Sequence, residues 1–406
     1  VTTTSAVSPP LRASARFIAL MAFMTSAVAF GIDMMLASLP EIGSEISPDQ
    51  PENVQLIVGL FFVGLGIGTV FVGPLSDAFG RRPVLFAGLA IYALGAGVCW
   101  LSTSLEMMCA GRILQGLGAA APRVTVLAVI RDRFVGRQMA ATQSLVMMIF
   151  TLVPGIAPLL GEFVAQAFGW RAIFFTFVIF AAIAAVWFGL QQPETLPPDR
   201  RKPLRIATFA ASVATILRHP QVRMSIGVQT FTFAGLISLL TATPLIFAKI
   251  FDLDAWFPYA MGLASLLGGI TSFINARIVE RLGMVRLMRI AMAATLAVTA
   301  AVLLFFAVFA PTGLLAVWVY MIFKTSGFAL LGFVIGNSTA LAMQPMGAIA
   351  GTTASVVTAT ATLVAAVMGI AIAAAFNGTV FPTMMGLSVC YALGLLCALR
   401  LEHDEA

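Results

Sequence analysis

Residues 54–84 read VQLIVGLFFVGLGIGTVFVGPLSDAFGRRPV. From Val54 to Leu75 there is no charge. An uncharged apolar run of about 20 residues is what a helix needs to cross a bilayer. Asp77, Gly80, Arg81 and Arg82 follow, and at Val84 a second apolar run begins. The polar segment between is too short to hold a domain. It must turn tightly from one span to the next, and Gly73 and Gly80 permit that turn. Asp77 sits at the membrane edge, placed to meet a helix N-terminus or an arginine.

The same pattern recurs along all 406 residues, of which 60% are hydrophobic and only 10% charged. A soluble domain carries about 25% charged residues. Alternating ten-residue strands, the mark of a membrane barrel, are absent. The reading is an all-α membrane protein with twelve spans: 17–39, 54–75, 84–101, 107–130, 138–161, 170–190, 224–247, 256–278, 285–309, 313–342, 351–375 and 381–399. Residues 11–31 have the basic start and apolar middle of a signal peptide. The run continues past Asp33 and many spans follow, so an uncleaved first span is expected.

Lys and Arg set orientation. One set of loops and both tails hold Arg12, Arg16, Arg81, Arg82, Arg131, Arg133, Arg137, Arg200, Arg201, Lys202, Arg205, Arg218, Arg223, Arg277, Arg281, Arg286, Arg289 and Arg400. The opposite loops hold Arg171 and Lys249. Both termini are therefore expected in the cytoplasm. The net charge of +6 is a topology signal and not a nucleic-acid footprint. The hydrophilic stretch 191–223 divides the chain into an N-terminal six-helix half (1–190) and a C-terminal one (224–406). Its part 204–217 suits a short helix on the membrane surface. The halves echo each other: Asp77-x-x-Gly80 matches Glu280-x-x-Gly283, and "ASLP" ending at Pro40 matches "TATP" ending at Pro244. Parallel repeats of this kind are a transporter architecture.

Charges inside spans are expensive and are retained for function. Asp33 is the one carboxylate the reading places inside a span, about sixteen residues or roughly 24 Å from its start. Arg112 enters the fourth span from the other side and reaches a similar depth, so the two are allowed to pair, directly or through water. A carboxylate that gains and loses a cationic neighbour binds and releases a proton. Arg123 lies on the same helix face as Arg112, and Lys324 lies in the tenth span with Tyr320 one turn away. Pairing Asp33 with Arg112 leaves Arg123 and Lys324 unmatched, which favours an anionic or electron-rich substrate; Arg123 snorkelling to the surface is the alternative. In the fifth span Pro154 and Pro158 remove helix hydrogen bonds, and with Gly155 they form a candidate hinge. Cys99, Cys109, Cys390 and Cys397 are read as small packing residues. The residues give no metal spacing, no nucleophile–base pair and no phosphate loop, so neither enzyme nor cofactor is expected.

Gly73, Leu75, Asp77, Gly80, Arg81 and Arg82 match the pattern G-x-L-x-D-x-x-G-R-[KR]. In this the chain resembles the major facilitator superfamily, in which that segment is a conformational latch. Arg112, Gln115, Gly116 and Gly118 resemble the R-x-x-Q-G-x-G motif of its proton-coupled drug antiporters, where the arginine is tied to proton coupling. "DMMLASLP", "APLLG" with "GWRAIF", and "GTTAS" are similar to the twelve-span bicyclomycin/chloramphenicol-resistance-like branch. The fifth-span pattern G-P-x-x-G-G is met only in part by residues 157–162. The resemblance implies a monomeric multidrug/proton antiporter of the bacterial inner membrane working by alternating access. Asp33 and Arg112 would couple protons, while Arg123, Lys324, Tyr320 and Gln115 would line the substrate cavity. A dedicated metabolite or organic-anion transporter is the alternative, and a non-transporting membrane sensor a more distant one.

Overall fold

A computed structural model of the chain describes residues 13–134, 136–201 and 203–401. Arg12, Lys202 and His403 lie outside them. Twelve helices among the described residues are long and apolar enough to cross a membrane. Large apolar side chains such as Leu94, Phe163, Leu190, Trp318 and Val367 stand exposed on them. Water would not tolerate that much, but lipid does.

The first crossing is built in pieces. Helix α1 (Ala15–Thr25) meets α2 (Ala27–Asp33) at Thr25 and Ser26, whose hydroxyls bond back to the carbonyls of Met21 and Ala22. Such back-bonding bends helices. After Asp33 comes a 3₁₀ turn (Leu36–Ser38), then α3 (Leu39–Ile46) with Pro40 in its first turn. Proline is suited to that place, since an N–H in the first turn of a helix has no partner within it. The crossing therefore runs on to Ile46, beyond the expected limit at residue 39.

Helix α4 (Leu56–Phe79) and α5 (Arg81–Trp100) are separated by Gly80 alone, at φ +105°. This corrects the expectation of a loop: Gly73 lies within α4, and Gly80 by itself makes the turn. A left-handed φ strains any residue with a Cβ. Next come α6 (Leu105–Arg133), α7 (Gly136–Phe168) and α8 (Arg171–Gln191). Helix α9 (Ile206–Arg218) is the predicted surface helix. It is not freely laid down, for Ile216 is buried with Val222, Ala342, Met346, Val356 and Val357.

The last six crossings are α10 (Pro220–Lys249), α11 (Phe257–Leu282), α12 (Met284–Phe309), α13 (Gly313–Met343), α14 (Ala350–Ala374) and α15 (Phe381–Leu399). The repeat legible in the residues is also one of packing. In the first half α6 packs on α4 and α5, and α5 on α8; in the second α13 packs on α11 and α12, and α12 on α15. Gly283 turns α11 into α12 at φ +76°, as Gly80 does between α4 and α5.

The halves meet along two helix pairs, α4 with α14 and α7 with α11. Glycines seven residues apart on α4 make the first approach close. A Cβ on Gly59, Gly66 or Gly73 would come up against Ile370, Leu363 or Ser355 of the antiparallel α14. Side chains of one helix seated on glycines of the next are how helices pack closely where no water drives them together.

Candidate functional site

Asp33 lies at the break in the first crossing and is 4% exposed. It is the only buried carboxylate among the described residues. Just past it, the Met34 carbonyl faces Gly161 of α7, where any side chain would collide with it. The break thus has a fixed seat against the Pro-Gly helix.

Arg112 on α6 is fully buried. Its Nη1 donates to the Gly31 carbonyl (2.8 Å) and to Gln115 Oε1 (2.6 Å), and its Nε donates to the Ile57 carbonyl (3.1 Å). The guanidinium lies 4.5 Å from the centre of the Phe61 ring. Of the direct or water-bridged pair with Asp33 that the sequence allowed, the direct form is not among the ion pairs of the described residues. The reason is local. Helix α2 ends at Asp33, so its last carbonyls lack partners within the helix. Gly31 offers one of them, and a cation is favoured at that end of a helix dipole. Arg112 is a staple from α6 to α2 and α4. Gly116 and Gly118 let α6 come that close, since a Cβ on them would strike the Phe61 carbonyl and the Tyr92 amide.

A further buried cation within the spans belongs to the other half. It is Lys324 of α13, fully buried and in no direct ion pair with Asp33. The Lys324 ammonium sits 5.3 Å from the Phe257 ring centre and 5.9 Å from that of Phe247, and Nζ has no hydrogen-bond partner. Lys324, expected to be without an obvious partner, lies against aromatic ring faces. Tyr320 is buried, shares a hydrogen bond with Thr243 (3.1 Å), and packs on Phe247, Phe251 and Phe323. Of the four residues proposed to line a cavity, Gln115, Tyr320 and Lys324 are sealed in this conformation, and Arg123 alone keeps part of its surface exposed.

The end of the bundle over Asp33, away from the arginine-rich loops, is closed. Helix α3 and the 3₁₀ turn Pro51–Gln55 touch α10, and the turn also touches α14. Glu52 and Lys249 pair across the halves at 3.9 Å. Glu45 accepts hydrogen bonds from Trp170 Nε1 (2.7 Å) and Arg171 Nη1, and Arg171 lies over the Trp170 ring. This explains the "GWR" segment as a staple to α3. One expectation changes here. Helix α7 runs through Gly161 to Phe168, so Glu162 lies inside it and not beyond the span. It is half-buried near the far end, beside Glu41, so Asp33 is not the only acid within a span helix but the only buried one. Pro154, Gly155 and Pro158 lie within continuous α7, and Gly155 crosses Gly262 of α11 backbone to backbone.

At the arginine-rich end, Arg81 is buried and bonds Asp77 (2.6 Å), Ser76 (3.0 Å) and Asp132 (3.0 Å). Arg82 donates to the carbonyls of Gln192 (2.7 Å) and Gly189 (3.2 Å), at the end of α8. Asp132 and Glu194 are functional candidates that the sequence reading missed. Glu194 caps α5: its carboxylate accepts from the amides of Arg81 (2.9 Å) and Arg82 (3.0 Å). Its signal was one of two acids, with Asp199, among the basic residues of the linker.

Partial burial pushes the Glu194 carboxyl up, but the amide hydrogen bonds outweigh it and hold the group below its ordinary 4.5. A lowered native value stabilises the fold above the unfolded value, and that contribution is lost as pH falls through the native one. Glu194→Gln should therefore cost about 1 kcal/mol at neutral pH. Melting curves should show the gap to wild type closing below pH 4.5. An unchanged gap in acid would remove the capping role.

Comparison with known proteins agrees with this geometry. The Major Facilitator Superfamily profile matches residues 21–370. The chain belongs to this superfamily. It is a multi-pass membrane transporter and not an enzyme. A bicyclomycin resistance protein homolog of Haemophilus influenzae is 28% identical over 384 residues, 94% of each chain. The uncharacterized MFS-type transporter YdgK of Bacillus subtilis is 30% identical over 79% of each. The multidrug resistance protein MdtL of Shigella dysenteriae is 32% identical over 37% of this chain and 38% of its own. These relatives agree with the drug-antiporter branch that the motifs resemble. A D-xylose-proton symporter crystal structure superposes with TM-score 0.73 at 16% identity, covering 96% of this chain and 97% of that one. At that identity it speaks for the fold alone.

Proposed function

We propose that this transporter is a proton-driven exporter of small, chemically varied molecules in a bacterial inner membrane, with both termini in the cytoplasm. The observation that carries the reading is Asp33. It is a lone buried acid among the described residues, at a helix break under the closed end. A carboxylate so placed changes its company whenever the halves move, and that ties proton binding to conformation. The excess of arginine at one end supports the orientation. The names of the relatives, resistance to bicyclomycin and to multiple drugs, support the substrate class.

Alternating access follows from the two helix pairs that join the halves. Residues 1–190 and 224–406 would rock against each other about the α4–α14 and α7–α11 seams, with 191–223 as the tether. Gly73, Asp77, Gly80, Arg81 and Arg82 would act as the latch at the cytoplasmic end, aided by Asp132 and Glu194. Pro154, Gly155 and Pro158 would let α7 flex where it crosses Gly262.

The test is transport of bicyclomycin or chloramphenicol in proteoliposomes with an imposed pH gradient. Gradient-dependent accumulation is expected. Equal accumulation with and without the gradient would refute proton coupling.

A further inference from the structure

We propose that α9 docks on acidic phospholipid headgroups of the leaflet at the arginine-rich end, and that Arg205, Arg218 and Arg223 hold them. Arg205 stands at the start of α9, Arg218 in its last turn and Arg223 in the first turn of α10. All three are exposed, and none belongs to an ion pair among the described residues. The ground around them carries no opposing charge. From Arg200 to Phe251 the chain has no acidic residue, and α14, on which α9 packs along with α10, has none either.

The surface of α9 fits the same partner. Phe209, Val213 and Ile216 recur at helical spacing and form its less exposed face, where Ile216 is buried with Val222, Ala342, Met346, Val356 and Val357. The exposed positions from Ala207 to Leu217 are alanine, threonine and leucine, with no charge among them. A helix face turned to water is ordinarily charged. One that is small and uncharged, with arginines at its ends, suits the boundary between headgroups and acyl chains, where long basic side chains reach phosphates. Arg205 and Arg218 lie roughly 20 Å apart along the helix, far enough to take separate headgroups. Arg205 and Arg223 also put cations at the positive ends of α9 and α10, whose first turns hold no acid. That placement is unfavourable until an anion joins it. Because Ile216 seats α9 on the ends of α13 and α14, headgroups that hold α9 also hold the base of the second half. Docking of this kind goes beyond the exporter reading and requires neither proton coupling nor a particular substrate.

The test is backbone hydrogen exchange of the full chain in nanodiscs of phosphatidylcholine, with or without added phosphatidylglycerol. Exchange over residues 206–218 should be several-fold slower where phosphatidylglycerol is present, and high salt should erase the difference. Residues 51–55, at the opposite end, should exchange alike in both bilayers. In a variant carrying Arg205→Gln, Arg218→Gln and Arg223→Gln together, 206–218 should exchange at one rate in both. Equal exchange of the wild type in the two bilayers, a difference kept by the triple variant, or the same slowing at 51–55 would each overturn the proposal. So would inorganic phosphate restoring protection in phosphatidylcholine alone, which would mark a site for soluble anions. Should the triple variant not fold, the salt dependence of the wild type decides: a difference lost in high salt supports docking, and one that persists overturns it. Exchange needs no transport, so failure here leaves the pH-gradient test of the exporter untouched.

Discussion

Asp33→Asn is expected to abolish proton-driven accumulation while leaving substrate exchange across the membrane intact. The amide keeps the shape of the carboxylate at the joint between α2 and the 3₁₀ turn, so the seat of Met34 against Gly161 is undisturbed. What disappears is the charge. One pH unit supplies about 1.4 kcal/mol per proton, which is a tenfold accumulation. With no group to carry the proton, accumulation should fall to the level seen without a gradient, whereas counterflow of labelled substrate at equal pH should persist. Both assays use the same proteoliposomes. Full accumulation by Asp33→Asn would mean that another acid carries the proton, and Glu162 would be the next to examine.

Arg112→Lys should be the most damaging single conservative change. The charge is kept, but an ammonium lacks the planar fork that serves Gly31, Ile57 and Gln115 together. Each buried acceptor left unmatched costs about 1–3 kcal/mol. A loss of at least 2 kcal/mol, roughly, is expected in thermal unfolding. Because Arg112 joins α6 to both α2 and α4, the position of Asp33 should loosen with it, and gradient-driven transport should fall more than about tenfold. A variant with wild-type melting and transport would show that the staple is dispensable. The two experiments separate roles that sequence reading had merged into one ion pair: Asp33 as the titrating group and Arg112 as the part that holds its helix.

The twelve spans, the turn at Gly80, the doubled architecture and the short linker helix were all legible in the residues. Each is written locally, in runs of apolar side chains, in glycine spacing and in the position of arginines. The two ends of the latch illustrate the limit. Arg81 and Asp77 are four residues apart across the Gly80 turn, and the sequence already placed Asp77 to meet an arginine. Asp132 and Glu194 reach the same place from 51 and 113 residues away from Arg81, and no local pattern joins them.

The charges within the membrane mark the same division. The sequence by itself determined that Asp33, Arg112, Arg123 and Lys324 lie in spans, and at what depth, because depth along a helix is a count of residues. It could not determine which of them meet. Two charges at equal depth on different helices face each other, or do not, according to how the helices rotate and where they break. The tertiary structure turned Arg112 to the free carbonyls at the end of α2 and set Lys324 against the rings of Phe247 and Phe257. The physical reason is that a buried cation takes the acceptors that the packing presents. Those acceptors exist because α2 ends at Asp33 and a 3₁₀ turn follows it.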